Sequence, residues 1–249
     1  MNIGITWARG SGSTLEGKNK RPILGKPLIY YPLMSLKQSG TMDRHYVFTE
    51  DDEIAQTVLD VGWSVIPRPS RFIAYRGKGF DWNEAWKHIV THVAGDLGVP
   101  VPDINGSWVV RFDVLADTTM VLNCNNCMVR GNTFRGMFEM LHEKQARYVY
   151  PAICIDGDVK IGMRDGSLFP LWHIHGVNRQ NAMPLYQTLG NTFFHRMENT
   201  RNGKPLSYYY EIDVMEAMDV HSQYDIDLIE FFLSKNPSYF GFDEQRMSA

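Results

Sequence analysis

The sequence is short of cysteine. Only Cys124, Cys127 and Cys154 occur in 249 residues. A sparse, odd count argues against a disulfide framework and suits a reducing, cytoplasmic compartment. It is also short of net charge, at −3, which excludes the broad basic footprint of a nucleic-acid-binding surface. There is no apolar run long enough to span a bilayer. The first residues, Met1 to Thr6, lack the basic region, apolar stretch and cleavage site of a secretory signal. Internal repeats, low-complexity tracts and linker-like stretches are missing too. What remains is an ordinary globular balance, 44% hydrophobic and 21% charged, in a chain long enough to bury a sizeable core as one domain over 1–249.

Strand and helix patterns alternate through the first half. Residues 2–7 read as a buried strand, followed by a Gly/Ser/Lys-rich loop from Arg9 to Arg21. Pro27 is expected to open a helix running from Leu28 to Leu36, since proline suits a helix's first turn. Tyr46 to Phe48 reads as a strand, Asp51 to Leu59 as a helix and Trp63 to Ile66 as a strand. Trp82, Ala85, Trp86, Ile89, Val90 and Val93 form a helical apolar stripe within 81–94. Strands at 109–112 and 120–122 and a helix at 132–142 follow. The second half is more broken, with strands at 148–155, 159–163, 192–195 and 208–212 and a last helix at 225–232. This order predicts an α/β fold with a doubly wound, mostly parallel sheet, whose ligands bind at the carboxyl ends of the strands.

The loop after the first strand therefore sits at the ligand edge. It reads Ala8-Arg9-Gly10-Ser11-Gly12-Ser13-Thr14-Leu15-Glu16-Gly17-Lys18-Asn19. Small residues let backbone N–H groups approach an anion, and Arg9 and Lys18 bracket the turn with two cations. Such a pair can balance a triphosphate and the charge that grows on departing pyrophosphate. The loop is neither a Walker A motif nor GxGxxG. A solvated surface loop is the competing reading.

Several motifs in order resemble the cytidylyltransferases that make CMP-sialic acid and related CMP-activated acidic sugars. They are Ala8-Arg9-Gly10-Ser11, Lys18-Asn19, Leu24-Gly25-Lys26-Pro27-Leu28-Ile29, Phe48-Thr49-Glu50 with Glu53-Ile54-Ala55, and Val65-Ile66-Pro67-Arg68-Pro69. Arg179-Gln180 with Pro184, Tyr186 and Leu189-Gly190, and then Asp219 to Asp225, continue the series. The resemblance implies a Rossmann-like nucleotidyltransferase fold, a homodimer with a small dimerisation or sugar-binding extension near 156–195, and transfer of CMP from CTP to an acidic sugar of the nonulosonic or octulosonic type. It implies that Arg9 and Lys18 are catalytic. Ala8, Arg9, Gly10, Ser11, Asn19 and Arg68 would bind the nucleotide. Asn123, Lys160, Arg179 and Gln180 would meet the acceptor, and Asp219 with His221 would hold Mg²⁺, or Mn²⁺.

Three departures from the family pattern stand out. Ser13 replaces a basic residue of the loop. His221 replaces a second metal-binding aspartate, and imidazole suits Mn²⁺ or Zn²⁺ better than Mg²⁺. Asn123-Cys124-Asn125-Asn126-Cys127 replaces the strand end that meets the sugar, next to an apparent insertion at 107–118. A different acceptor, such as a phosphonate, or a nucleotide-binding relative without turnover therefore stays open.

Plainer readings stand beside these roles. Cys124 and Cys127 could join His173 and His175 at zinc, but two unpaired thiols in a strand-end loop is the simpler account. The acids Glu50 to Glu53 read as a helix N-terminus. Asp81 and Ser222 read as N-caps, which leaves Asp219 for another role. Arg68 and Lys160 could be solvated turn residues, and Arg179-Gln180 a dimer contact. Tyr208-Tyr209-Tyr210 is expected to alternate between sheet faces.

Overall fold

The computed structural model describes residues 1–11, 15–73, 80–101, 115–155, 160–162, 168–170, 185–196 and 207–242, with 160–162 and 168–170 described as backbone only. Its strands are β1 (Asn2–Trp7), β2 (Pro22–Ile23), β3 (Lys26–Pro27), β4 (Arg44–Thr49), β5 (Ser64–Pro67) and β6 (Thr118–Leu122) in the first half. β7 (Tyr148–Ile155), β8 (Lys160–Gly162), β9 (Leu168–Pro170), β10 (Leu185–Thr188), β11 (Phe193–His195) and β12 (Ser207–Glu211) follow. The helices are α1 (Tyr30–Ser39), α2 (Asp52–Val61), α3 (Trp82–Asp96), α4 (Gly131–Glu143) and α5 (Gln223–Lys235).

Eight strands form one sheet in the order β10-β7-β11-β6-β1-β4-β5, with β12 paired to β7. β1 is parallel to both β4 and β6, and β4 is parallel to β5. β11 enters antiparallel between β6 and β7. The expected α/β architecture with a mostly parallel sheet is what the structure shows.

Period-two alternation decides which helix covers which face. Ile3 and Ile5 of β1 and Tyr46 and Phe48 of β4 pack against Ala85, Trp86, Ile89, Val90 and Val93 of α3. Val47 points the other way, into a cluster with Leu33 and Leu36 of α1, Ile54 and Val58 of α2, and Phe134 and Met137 of α4. Each such fully buried side chain contributes roughly 1.5–3 kcal/mol relative to exposure. A third cluster joins Ile226, Ile229 and Leu233 of α5 to Ile23, Leu28, Tyr31 and Val220. That cluster docks the segment just before α5 against the base of the first loop. Among the described residues, no helix is long and apolar enough to cross a membrane.

Some local expectations shift. Pro27 does not open a helix; it lies in β3, opposite Pro22, and α1 begins three residues later. The Lys26–Pro27 strand closes a two-stranded ribbon whose turn holds Leu24 and Gly25 at positive φ. Trp82 is 43% exposed, so the aromatic stripe of α3 reaches the core through Trp86 and Ile89. The tyrosine run alternates as expected: Tyr208 and Tyr210 pack on the core, while Tyr209 turns outward and stacks on Tyr186. The strand expected at 109–112 lies outside the described residues.

His45, in β4, is fully buried and shares a 3.0 Å hydrogen bond with Thr6. Gly4 is needed there, because a Cβ would fall 2.1 Å from the His45 ring. Burial lowers the His45 pKa from 6.5 to about 3, so the folded chain holds the ring neutral. The unfolded chain then binds more protons between those values. Stability from this site is full above pH 6.5 and falls as pH drops toward 3. Thermal melts across that window are expected to show a shallower acid slope for His45→Gln than for the parent chain. Equal slopes would refute this.

Candidate functional site

The chain leaves β1 for β4 and β5 on one side and reaches β6 on the other. The carboxyl ends of β1 and β6 therefore flank a topological switch point, the usual ligand crevice of such sheets. Ala8 to Ser11 leave β1 there, and Asn123-Cys124 leave β6.

The loop is held from beneath. The Ala8 N–H donates to the Phe48 carbonyl at 3.1 Å. The Gly10 N–H donates to Glu50 Oε1 at 2.9 Å. Only glycine fits at position 10, since a Cβ would come within 2.1 Å of Asp51 Oδ2. Asp51 caps α2 by accepting from the Glu53 and Ile54 N–H groups, as the acidic run suggests, and it pairs with Lys20 at 3.0 Å. Ser11 is exposed at the crevice, while Ser13 lies outside the described residues.

Lys18 opens a short 3-10 turn and is only 7% exposed. Its ammonium donates to the Val220 carbonyl at 2.6 Å. Burial lowers its pKa, and the Arg9 guanidinium adds to that; the carboxylates of Asp219 and Asp225 act against it. The charges of Arg9, from the first loop, and of Asp219 and Asp225, from more than 200 residues farther along the sequence, thus act on one ammonium. Asn19 is tied down at both ends of its amide. Nδ2 donates to the Arg9 carbonyl at 3.0 Å, and Oδ1 accepts from the Cys124 thiol at 3.0 Å.

Asp219 sits in the segment between β12 and α5. The Val220 N–H donates to the Asn125 carbonyl at 3.2 Å, so Lys18 and Asn125 grip Val220 from two sides. His221 Nε2 lies 3.1 Å from Asp219 Oδ2, and both side chains reach solvent. Ser222, not Asp219, caps α5, in a capping box with Asp225, as expected. Asp225 also accepts from the His221 N–H at 2.9 Å. Farther back, Glu216 is 1% exposed and accepts from the Thr133 hydroxyl at 2.6 Å, from the Arg130 N–H at 2.9 Å and from the Arg130 guanidinium at 2.8 Å.

Arg68 follows β5 but turns inward. Its guanidinium donates to the Phe72 carbonyl, lies 3.9 Å from Glu50 and stacks over Trp7 and Phe48. Arg68 and Gly10 thus share Glu50, a link that sequence reading missed because Glu50 looked like part of a helix cap. Asn123 is at the crevice. Its Nδ2 donates to the Gly190 carbonyl at 3.3 Å and its Oδ1 accepts from the Asn125 N–H at 3.1 Å. Lys160 lies in β8 without a described side chain, and Arg179 and Gln180 lie outside the described residues.

Burial pushes the Cys124 thiol up to about 11 and the Cys127 thiol up to about 12, so both stay protonated. Among the described residues, no group of three or more His, Cys, Asp or Glu could hold a metal ion. His173 and His175, the other members of the zinc alternative, lie outside them. Asp219 offers a hard cation one carboxylate, which suffices for Mg²⁺ when phosphate oxygens complete the shell. His221 Nε2 is turned onto that same carboxylate.

Residues 3–72 match the family model described as Cytidylyltransferase. The resemblance read from the sequence is thereby found independently over that stretch. A comparison with curated proteins gives no match. Among solved structures, the chain is similar to CMP:2-keto-3-deoxy-manno-octonic acid synthetase in complex with CTP. The TM-score is 0.58 at 14% identity, covering 94% of this chain and 99% of that one. It is also similar to 4-diphosphocytidyl-2C-methyl-D-erythritol synthase from Anaerococcus prevotii DSM 20548, with a TM-score of 0.57 at 11% identity, covering 94% and 98%. At these identities the likeness is one of fold.

Proposed function

We propose, from the cytidylyltransferase pattern over residues 3–72, that this chain is an enzyme that transfers CMP from CTP to an acidic sugar and releases pyrophosphate. The observation that carries the reading is Lys18. It is a buried cation fixed at the switch point, and the charges of Arg9 and Asp219 act on it. Phosphoryl-type transfer leaves the protein mainly positioning and charge neutralisation to do. The loop Ala8 to Ser11 would receive the triphosphate, with Arg9 and Lys18 stabilising the departing pyrophosphate. Asn19 and Arg68 would keep that loop and its floor in place. Asp219 would hold Mg²⁺, with His221 orienting its carboxylate; Mn²⁺ is the other candidate. When bound, the ion would supply positive charge to the phosphate oxygens. The solved relatives support CTP as donor, since one of them carries it.

The acceptor is proposed as a nonulosonic or octulosonic type of acid, met by Asn123, Lys160, Arg179 and Gln180, in a homodimer. A second reading keeps CTP and changes the acceptor. It is favoured by the unusual Asn123 to Cys127 strand end and by the almost equal likeness to a methylerythritol-derivative synthase. Pyrophosphate release with CTP against a panel of sugar acids, phosphonates and polyol phosphates, with product masses, separates the two. No release with any acceptor and no CTP binding would overturn both. In the same assay, Asp219→Asn is expected to raise the Mg²⁺ concentration needed for half-maximal rate at least about tenfold, the scale of losing even an outer contact to a metal. An unchanged Mg²⁺ requirement would remove Asp219 from the proposal.

A further inference from the structure

Cys124 lies where β6 ends, on the acceptor side of the crevice, yet its thiol faces the nucleotide side. Its Sγ is 3.0 Å from Asn19 Oδ1, against 3.7 Å to the Trp7 carbonyl and 3.9 Å to Asn125 Oδ1. An asparagine amide has one accepting end and one donating end, and a flip exchanges them. With the oxygen held by the thiol, the NH₂ group must face the Arg9 carbonyl, to which it donates at 3.0 Å. Without the thiol proton, a buried amide oxygen loses its donor, and the Arg9 carbonyl alone is left to hold the amide in place.

We propose that Cys124 is a positioning residue: its S–H sets the orientation of the Asn19 amide, which fixes the Arg9 carbonyl and so the shape of the phosphate-facing loop. The thiol can do this because burial keeps it protonated across the physiological range. It is a proton donor here, not a nucleophile or a metal ligand. The relay also ties the strand end that meets the acceptor to the loop that meets the nucleotide. Its kinetic consequence rests on the cytidylyltransferase reading; its structural consequence does not.

The test compares Cys124→Ala, which removes the donor, with Cys124→Ser, which keeps one. Two readouts are taken on the full chain: KM for CTP against kcat, and hydrogen exchange of the backbone between residues 7 and 20. Cys124→Ala is expected to raise KM for CTP about fivefold to tenfold, the scale of one lost hydrogen bond, with a smaller change in kcat and faster exchange in that segment. Cys124→Ser is expected to recover most of both. Adding Cys124→Ala to Asn19→Ala is expected to change nothing further, because the two act through one contact. If alanine and serine variants behave alike, whether both intact or both impaired, the donor role is overturned. If the parent chain shows no turnover of CTP, the cytidylyltransferase reading fails, and the exchange measurement still decides the relay.

Discussion

Lys18→Met is expected to lower CTP-dependent pyrophosphate release by about a hundredfold to a thousandfold, the usual loss when one preorganised stabiliser of developing charge is removed. Three features make this the largest functional effect. The ammonium is fixed rather than mobile, because the Val220 carbonyl holds it at 2.6 Å. It is shielded from water, so its field is stronger than that of an exposed lysine. The Asp219 carboxylate, from the segment before α5, also acts on it electrostatically. Methionine keeps the unbranched stem but not the terminal nitrogen, and leaves the Val220 carbonyl without its donor, at a cost of about 1–3 kcal/mol. That cost should appear as a modest drop in melting temperature, so the melt reports folding separately from the rate. Lys18→Arg is expected to recover little, since a planar guanidinium does not reproduce a compact ammonium. A rate within a few fold of the parent for Lys18→Met would remove Lys18 from the chemistry.

Glu216→Ala is expected to give the largest loss of stability. Glu216 is buried and satisfies the Thr133 hydroxyl and both the backbone and side chain of Arg130, at the N-terminus of α4. It raises the Arg130 pKa further, and Arg130 in turn also pairs with Asp213 at 2.8 Å and lies over Tyr239. Removing Glu216 leaves the Thr133 hydroxyl and the Arg130 backbone N–H without their acceptor, at about 1–3 kcal/mol each. For a chain of this size that corresponds to a fall of roughly 10 °C in melting temperature. Glu216→Gln keeps an acceptor and should lose less. A shift below about 2 °C for the alanine variant would contradict the account. Because Glu216 stands three residues before Asp219, the same variant is expected to weaken the proposed CTP-dependent activity even at temperatures where it is folded.

The parts of this molecule that were legible in the sequence are those set by local periodicity and local caps. β1, β7 and α3 follow from alternation or helical spacing, and Asp81 and Ser222 cap their helices as side-chain chemistry dictates. The glycine/serine loop with its two cations could be read for the same reason: the signal is contiguous. Pro27 misled because proline fits a helix's first turn and an edge strand equally well, and only the partner Pro22 decides between them. β11 was legible as a strand, but not its antiparallel insertion between β6 and β7, which is a property of the whole sheet. Glu50 was hidden inside a run of four acids, one of which, Asp51, truly is a cap. Its bonds to Gly10 and Arg68 span residues that no window joins. Cys124 was hidden more deeply, because a cysteine three places from Cys127 invites a metal reading, while its actual partner is an asparagine 105 residues earlier.

The ammonium of Lys18 finds its acceptor 202 residues downstream, at Val220. During synthesis, then, the first loop leaves the ribosome long before the carbonyl that anchors its lysine exists. Until that late segment arrives, Lys18 stays hydrated and the crevice lacks one wall. A chain halted before residue 220 therefore lacks the acceptor that fixes this ammonium.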